Sequence, residues 1–342
     1  MKENTRAVLA AAEAAQVEKV YDSAEELLDK KTNLVGFATG VKWKNGEPTG
    51  EPALIFLVSQ KLTKDMLNKA SMLPTKLAEM QTDVMSVGTV FAGGSADVGI
   101  QTLTKRVRPA RGGYSVGHKN ITAGTIGTCV YSILPGGTVS PPVHGIGIPP
   151  KFYILSNNHV LANVNAGLAG DAILQPGPLD GGVDPADRIA TLTTFIPIQL
   201  TPAVLITSHN NIVDAAIAEG QFHDLDREIY WSGPVRGWRR KSLVSVGTVV
   251  KKTGRTTNFT VGRITAVNAT VDVNYGFGRV GRFKDQILTT AMSAGGDSGS
   301  LVTTLDNIAV GLLYAGSSTV TIANQIENVR SLLKVEVAEQ IL

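Results

Sequence analysis

A mostly β protein with a small α+β unit in front is the fold class this sequence predicts, on three observations. Glycine supplies 36 of 342 residues, above the roughly 7% average, and that surplus favours turns and hairpins over helical bundles. From Gly124 to Leu342, short Val, Ile, Thr and Leu runs are punctuated by Gly, Pro and Asn, the signature of a sandwich or barrel. Only the stretch from Thr5 to about Lys31 reads as helical at the front of the chain. It holds no Gly or Pro, and Leu9, Val17, Val20, Ala24 and Leu27 recur at near-helical spacing. With 43% hydrophobic and 18% charged residues the composition is globular, and the length predicts two or three packed units.

The elements follow in order. Runs over 35–43 and 53–58 flank the breaker cluster Asn45-Gly46-Glu47-Pro48 and predict a hairpin. A helix is expected around 63–70 and a third strand over 84–91, closing an N-terminal α+β domain over 1–94. Residues 95–120 read as a basic linker, with Lys105, Arg106, Arg108 and Arg111 as a solvated connector. Strands are then expected over 125–133, 152–156, 188–194, 212–218, 244–251, 260–273, 285–290, 300–304 and 308–314, with a C-terminal helix over 326–342.

Charge and cysteine count exclude several classes. A net charge of +3 is too small to imply a nucleic-acid or anionic-membrane partner. The single cysteine, Cys129, excludes an internal disulfide and a Cys-built zinc site. No export signal is read at the N-terminus and no apolar run approaches the roughly 18 residues of a membrane span. A cytoplasmic protein with no cofactor and no resident metal is expected.

Three segments of the β-rich part each offer one member of a nucleophile, base and orienter set. Glycines flank Ser298 in Gly295-Gly-Asp-Ser-Gly-Ser300 and permit a tight turn that presents a hydroxyl beside free N–H groups. His159 follows the apolar run Tyr153-Ile-Leu155, where an imidazole can act as general base; a structural histidine is the alternative. Asp214 interrupts Asn211-Ile-Val-Asp-Ala-Ala216. A buried carboxylate needs a partner, and orienting an imidazole N–H is one such role, a salt bridge to arginine another.

The order His159, Asp214, Ser298 matches the chymotrypsin arrangement and neither the subtilisin nor the α/β-hydrolase order. Leu155-Ser-Asn-Asn-His-Val-Leu161, Asn211-Ile-Val-Asp-Ala-Ala216 and Gly296-Asp-Ser-Gly-Ser300 resemble the three motifs of trypsin-like serine proteases, over roughly residues 112–330. Arg108-Pro-Ala-Arg-Gly-Gly-Tyr-Ser-Val-Gly-His118, Gln175-Pro-Gly-Pro-Leu-Asp-Gly-Gly182 and Lys252-Thr-Gly-Arg-Thr-Thr257 resemble a disulfide-free branch found in bacteria and in plant narrow-leaf proteases, as does the N-terminal domain.

That resemblance implies a double six-stranded β-barrel over 121–342. The first barrel would span about 121–219, a connection about 220–241, and the second barrel about 242–325. It implies Ser298 as nucleophile, His159 as base, Asp214 as orienter, and the backbone N–H groups of Gly296 and Ser298 as oxyanion hole. In secreted relatives the aspartate matching Asp297 pairs with a new N-terminus; a whole domain precedes the barrel here, so another partner is expected. Met292, six residues before the serine, would lie at the base of the substrate pocket and favour a small or medium apolar residue before the scissile bond. Tyr314, Ala315 and Gly316 match the strand that pairs with substrate backbone, with Tyr314 bulkier than the usual serine.

A serine endopeptidase acting on protein or peptide substrates is the expectation. The alternatives are a protease-fold binding or assembly protein and an esterase using the same serine, and the N-terminal domain is the candidate contact for a homo-oligomer. Two weaker signals remain: Asp180, Asp184 and Asp187 as calcium ligands against a solvated turn, and Trp231, Trp238, Arg236, Arg239 and Arg240 as a nucleic-acid patch against a connector surface.

Overall fold

The computed structural model describes residues 20–31, 33–44, 47–62, 67, 72–77, 80–92, 103–132, 151–337 and 340–341. Alternating β-branched and small residues build its strands, and their inward faces divide the core. Six strands close on themselves in the order Val249–Gly254, Leu301–Thr304, Ile308–Gly316, Val320–Gln325, Val280–Thr290 and Asn258–Asn274, the last returning to pair with the first. Val250, Ile264, Ile287, Val302, Val310, Leu313 and Ala323 fill this barrel.

An eight-stranded sheet makes the other half. Its order is Val335–Glu336, Thr128–Ser132, Phe152–Ser156, Ala216–Gly220, Arg188–Phe195, Ala172–Leu174, Ser115–His118 and Gly124–Thr125. Its core contains Val116, Ile126, Ile154, Ile173, Leu192 and Ala218. Between the halves, Leu155 and Val213 meet Leu312, and the helix Ile326–Leu333 adds Ile326, Val329 and Leu333 to the same cluster.

The N-terminal unit is welded to the second barrel. Leu34–Lys44 and Glu47–Val58 pair antiparallel, and Met80–Ser86 adds a parallel strand. The helix Tyr21–Lys30 buries Ala24 and Leu28 against Phe37, Leu54 and Phe56. Leu34–Lys44 also pairs with Asn258–Asn274, from Gly36 opposite Val271 to Gly40 opposite Ala266, so the barrel sheet runs into the N-terminal sheet without a break. Arg282 bridges Asp29 of the helix at 2.6 Å and Asp272 at 2.8 Å, and Lys284 meets Glu25 at 2.9 Å.

Several boundaries differ from the expected ones. The linker 95–120 is not a connector throughout: Ala110–Gly112 and Ser115–His118 are strands. The basic side chains there have partners, Arg106 on Asp187, Arg108 on Gln175 and Arg111 on Asp226. The connection 220–241 holds Leu225–Ile229, paired parallel with Ala110–Gly112, and Gly237–Trp238, paired with Ile308 and Ala309. Among the described residues the tail is helical only to Leu333, because Lys334 turns left-handed at φ 56° and Val335–Glu336 joins the eight-stranded sheet.

Ala172–Leu174 and Val320–Gln325 are strands without a predicted counterpart, and the strand expected at 84–91 is Met80–Ser86, with Phe91–Ala92 pairing separately. The helix expected at 63–70 falls chiefly outside the described residues, as do Asn45-Gly46 and the boundary near 93–95. Among the described residues no helix is long and apolar enough to cross a membrane.

Candidate active site

His159 lies in the first turn after the strand Phe152–Ser156, in the short helix Asn158–Leu161. Asp214 sits two residues ahead of the neighbouring strand Ala216–Gly220. Because those two strands pair from Phe152 opposite Gly220 to Ser156 opposite Ala216, the two side chains emerge at the same end. His159 Nδ1 is 2.6 Å from Asp214 Oδ2, and the His159 backbone N–H donates to Oδ1 at 3.2 Å. Asp214 is completely buried, so both contacts act where little water screens them.

The second barrel completes the shell around Asp214. Tyr275 Oη donates to Asp214 Oδ2 at 2.7 Å, and its ring stands edge-on to His159 with centroids 6.0 Å apart. Burial first, then the Asp214 charge, raises the Tyr275 phenol well above its ordinary range, so it is a permanent donor at neutral pH. The Asp214 N–H donates to Asn324 Oδ1 at 3.1 Å, and Asn157 Nδ2 donates to the Asp214 carbonyl at 2.7 Å. Sequence reasoning missed Tyr275 and Asn324: neither sits in a motif, and only the meeting of the barrels brings them to the aspartate.

Ser298 occupies the turn before the strand Leu301–Thr304. Gly296 at φ 95° and Gly299 at φ 96° shape this turn. A Cβ on Gly299 would lie 2.2 Å from the Thr125 carbonyl and 2.1 Å from Ser156 Oγ, so only glycine lets the turn dock there. Thr125 N–H donates to the Ser298 carbonyl at 2.7 Å, locking the turn to the other half of the molecule. Among the described residues the N–H groups of Gly296 and Ser298 donate to nothing, whereas those of Asp297, Gly299 and Ser300 are all engaged. Two unused donors beside a hydroxyl are the arrangement that stabilises a developing oxyanion.

One leg of the constellation is open. The Ser298 hydroxyl donates to the Tyr314 carbonyl at 3.3 Å, and His159 Nε2 is enclosed without a hydrogen-bond partner among the described residues. The structure therefore joins His159 to Asp214 and leaves Ser298 turned towards Tyr314. Cys129, the one thiol, is no competing nucleophile: burial pushes it up to about 12, leaving almost no thiolate at neutral pH.

Asp297 has the internal partner that the preceding domain requires. Lys252 Nζ lies 3.0 Å from Asp297 Oδ2. The carboxylate also accepts from the N–H groups of Thr256, Thr257 and Ala294 and from the Thr257 hydroxyl.

The expected pocket residues have these surroundings. Met292 is buried in the same cluster as Val250, Ile264 and Ile287 of the second barrel. Ser293 lies beside Gly316, and its Oγ is 2.7 Å from Thr321 Oγ1. The Tyr314 ring packs on Phe283 with centroids 4.9 Å apart, and its buried hydroxyl has no partner among the described residues. Ala315 and Gly316 pair antiparallel with Ala92 and Phe91.

Neither weaker signal assembles. Asp180 is held by Arg255 and Ser115, Asp184 by Arg188 and Asp187 by Arg106. Among the described residues no three potential ligands converge on a metal position. Trp238 is buried under the Arg330 guanidinium at 4.7 Å while Trp231 is exposed, so the aromatic patch is split.

Residues 22–87 match the family model described as the NARROW LEAF 1 N-terminal domain. Over 76 residues, 21% of this chain, the sequence is 49% identical to glutamyl endopeptidase 2 of Streptomyces griseus. The chain spans 35% of that relative's length. Among solved structures it is similar to Thermobifida fusca protease A at 18% identity and a TM-score of 0.43, covering 67% of this chain and 97% of that one. It is also similar to a glutamic acid specific serine protease that utilizes a histidine triad in substrate binding. That match is at 21% identity and a TM-score of 0.42, with 66% and 99% covered. The fold is the mostly β one expected, with the α+β unit in front, and it is similar to that of these bacterial proteases. The chain resembles the disulfide-free branch, and the segment that matches the NARROW LEAF 1 N-terminal model is built onto its second barrel.

Proposed function

We propose that this protein is a serine endopeptidase. Ser298 attacks the scissile carbonyl, His159 accepts the hydroxyl proton and returns it to the leaving amine, and Asp214 orients the imidazole and stabilises its protonated form. The N–H groups of Gly296 and Ser298 receive the oxyanion, and water hydrolyses the acyl-enzyme. The observation that carries this reading is the His159 to Asp214 contact at 2.6 Å, with Asp214 fully enclosed, beside a glycine-shaped serine turn with two free donors. Rotation of the Ser298 hydroxyl from Tyr314 towards His159 is the movement the reaction needs; catalytic hydrogen bonds commonly tighten only when substrate binds.

The side chain before the scissile bond is proposed to be small or medium. The Ser293 hydroxyl lies beside Gly316, which favours a side chain with a polar end over a purely apolar one. Likeness to a glutamyl endopeptidase makes Glu the side chain to compare with Ala and Val. A cytoplasmic location and self-association through the N-terminal unit belong to the same proposal, tested by cell fractionation and by sedimentation of the full chain.

The deciding experiment is labelling with a fluorophosphonate probe, comparing wild type with Ser298→Ala and His159→Ala. Labelling lost in both variants supports an activated nucleophile, and rates on a casein-like protein against a p-nitrophenyl ester separate peptidase from esterase. A folded wild type that never labels would favour the binding or assembly alternative.

A further inference from the structure

Beside the serine, the strand Ile308–Gly316 has an edge that is already taken. Phe91–Ala92 pairs with it antiparallel, Gly316 opposite Phe91 and Ala315 opposite Ala92. The direction of this pairing is informative. Continued by one position, the register reaches Tyr314, whose carbonyl receives the Ser298 hydroxyl at 3.3 Å. A polypeptide lying on this edge in this direction thus runs, N-terminus to C-terminus, towards the serine.

The occupant is held from behind. Val87 and Val90 are buried in the cluster that contains Tyr275, Phe283, Tyr314 and Ala315. The Asn274 N–H donates to the Val90 carbonyl at 3.0 Å, and the Ser317 hydroxyl donates to the Val87 carbonyl at 2.5 Å. The two residues on the edge are themselves less buried: Phe91, which also pairs with Asn274, is 41% exposed, and Ala92, packed on the same cluster, is partly buried. Firm anchors behind a lightly held tip suit a strand that can be displaced from the edge without unfolding its domain.

We propose that Phe91–Ala92 is a built-in occupant of the docking edge for extended peptides, and that a peptide substrate must displace it to align with Ser298. This inference rests on the peptidase reading for its role in turnover, but the edge itself is a docking surface for a β-strand whatever the serine does. An extended peptide would gain the backbone pairing that Ala315 and Gly316 now give to the chain's own segment. Its apparent affinity is reduced by the fraction of molecules in which the edge is occupied. A small reagent that needs only Ser298 and His159 would not compete with that segment.

The test uses the full chain with Phe91→Pro, which removes a backbone N–H and disfavours pairing, and a gentler Phe91→Gly, Ala92→Gly double variant, both checked by thermal melting. Binding of a fluorescent peptide with the sequence of residues 88–92 is measured by polarisation on chains that also carry Ser298→Ala. Hydrolysis of an acetylated tetrapeptide anilide and fluorophosphonate labelling are measured on chains with the serine intact. The expected result is peptide binding tighter by about tenfold in the edge variants, hydrolysis raised by a similar factor, and labelling changed by less than about twofold. Unchanged peptide affinity in a folded variant overturns the proposal. Tighter binding without labelling keeps the docking edge and removes the nucleophile, whereas labelling with no gain in binding or hydrolysis does the reverse.

Discussion

The Lys252 ammonium stands 3.0 Å from the Asp297 carboxylate, and both side chains are completely closed to solvent. Burial pulls the lysine down from its ordinary range while Asp297 pulls it back up, so the pair persists only as a pair. Five donors on one carboxylate also fix the backbone from Ala294 to Ser298. Lys252→Met is expected to cost about 3–5 kcal/mol, the penalty for stranding a buried charge. Adding Asp297→Asn to it should recover part of that loss. Urea unfolding of the single and double variants measures both, and a single variant as stable as wild type would show that the pair does not support this turn.

Asp214→Asn removes the acceptor charge from His159 Nδ1 while leaving the volume unchanged. A fall in phosphonate labelling rate by about four orders of magnitude is expected, as wherever an amide imposes the wrong imidazole tautomer. A fall of less than about tenfold would mean that Asp214 does not orient the base.

Tyr275→Phe separates a positioning role from a structural one. Tyr275 Oη and His159 Nδ1 share Asp214 Oδ2, so the phenol draws charge away from the imidazole. Without it Asp214 loses one of its donors and holds the imidazole in a looser geometry, so the labelling rate should fall by about tenfold with Tm little changed. A fall in rate that the Asp214→Asn variant background does not abolish would indicate packing alone.

Asp171 supplies a pH test of stability. The Leu168 N–H, then the hydrogen bonds from Lys119 and His118, hold its carboxyl well below the usual carboxylate range, whose ordinary value is 3.8. A depressed folded value means that the unfolded chain binds the proton first as pH falls. The stabilisation is therefore full above about pH 4 and fades below it. Asp171→Asn should lower Tm at pH 7, and the gap to wild type should narrow at pH 3; a gap independent of pH would exclude the charge as its source.

What the sequence made legible follows from locality. Phe152–Ser156 appears at its predicted limits because five consecutive residues are apolar or buried and pairing runs along both edges. Ser298, His159 and Asp214 stood out because each sits in a short run of unusual chemistry. Tyr275 and Asn324 did not, since their importance lies in partners 61 and 110 residues away. Ser115–His118 escaped because a four-residue strand with two polar members has no clear alternation.

The continuous pairing of Leu34–Lys44 with Asn258–Asn274 has a consequence for any attempt to dissect this protein. Trimming the chain to its barrels would unpair Ala266, Val267, Thr270 and Val271 and bare the apolar surface that Ile55 and Leu57 cover. A naked, hydrophobic strand edge recruits other strands. A barrel-only fragment would therefore be sticky, and clumping of such a fragment would report the wound left by the cut rather than any native assembly. The strand Leu34–Lys44 is part of the barrel's wall, and a unit meant to be purified, crystallised or grafted should keep it.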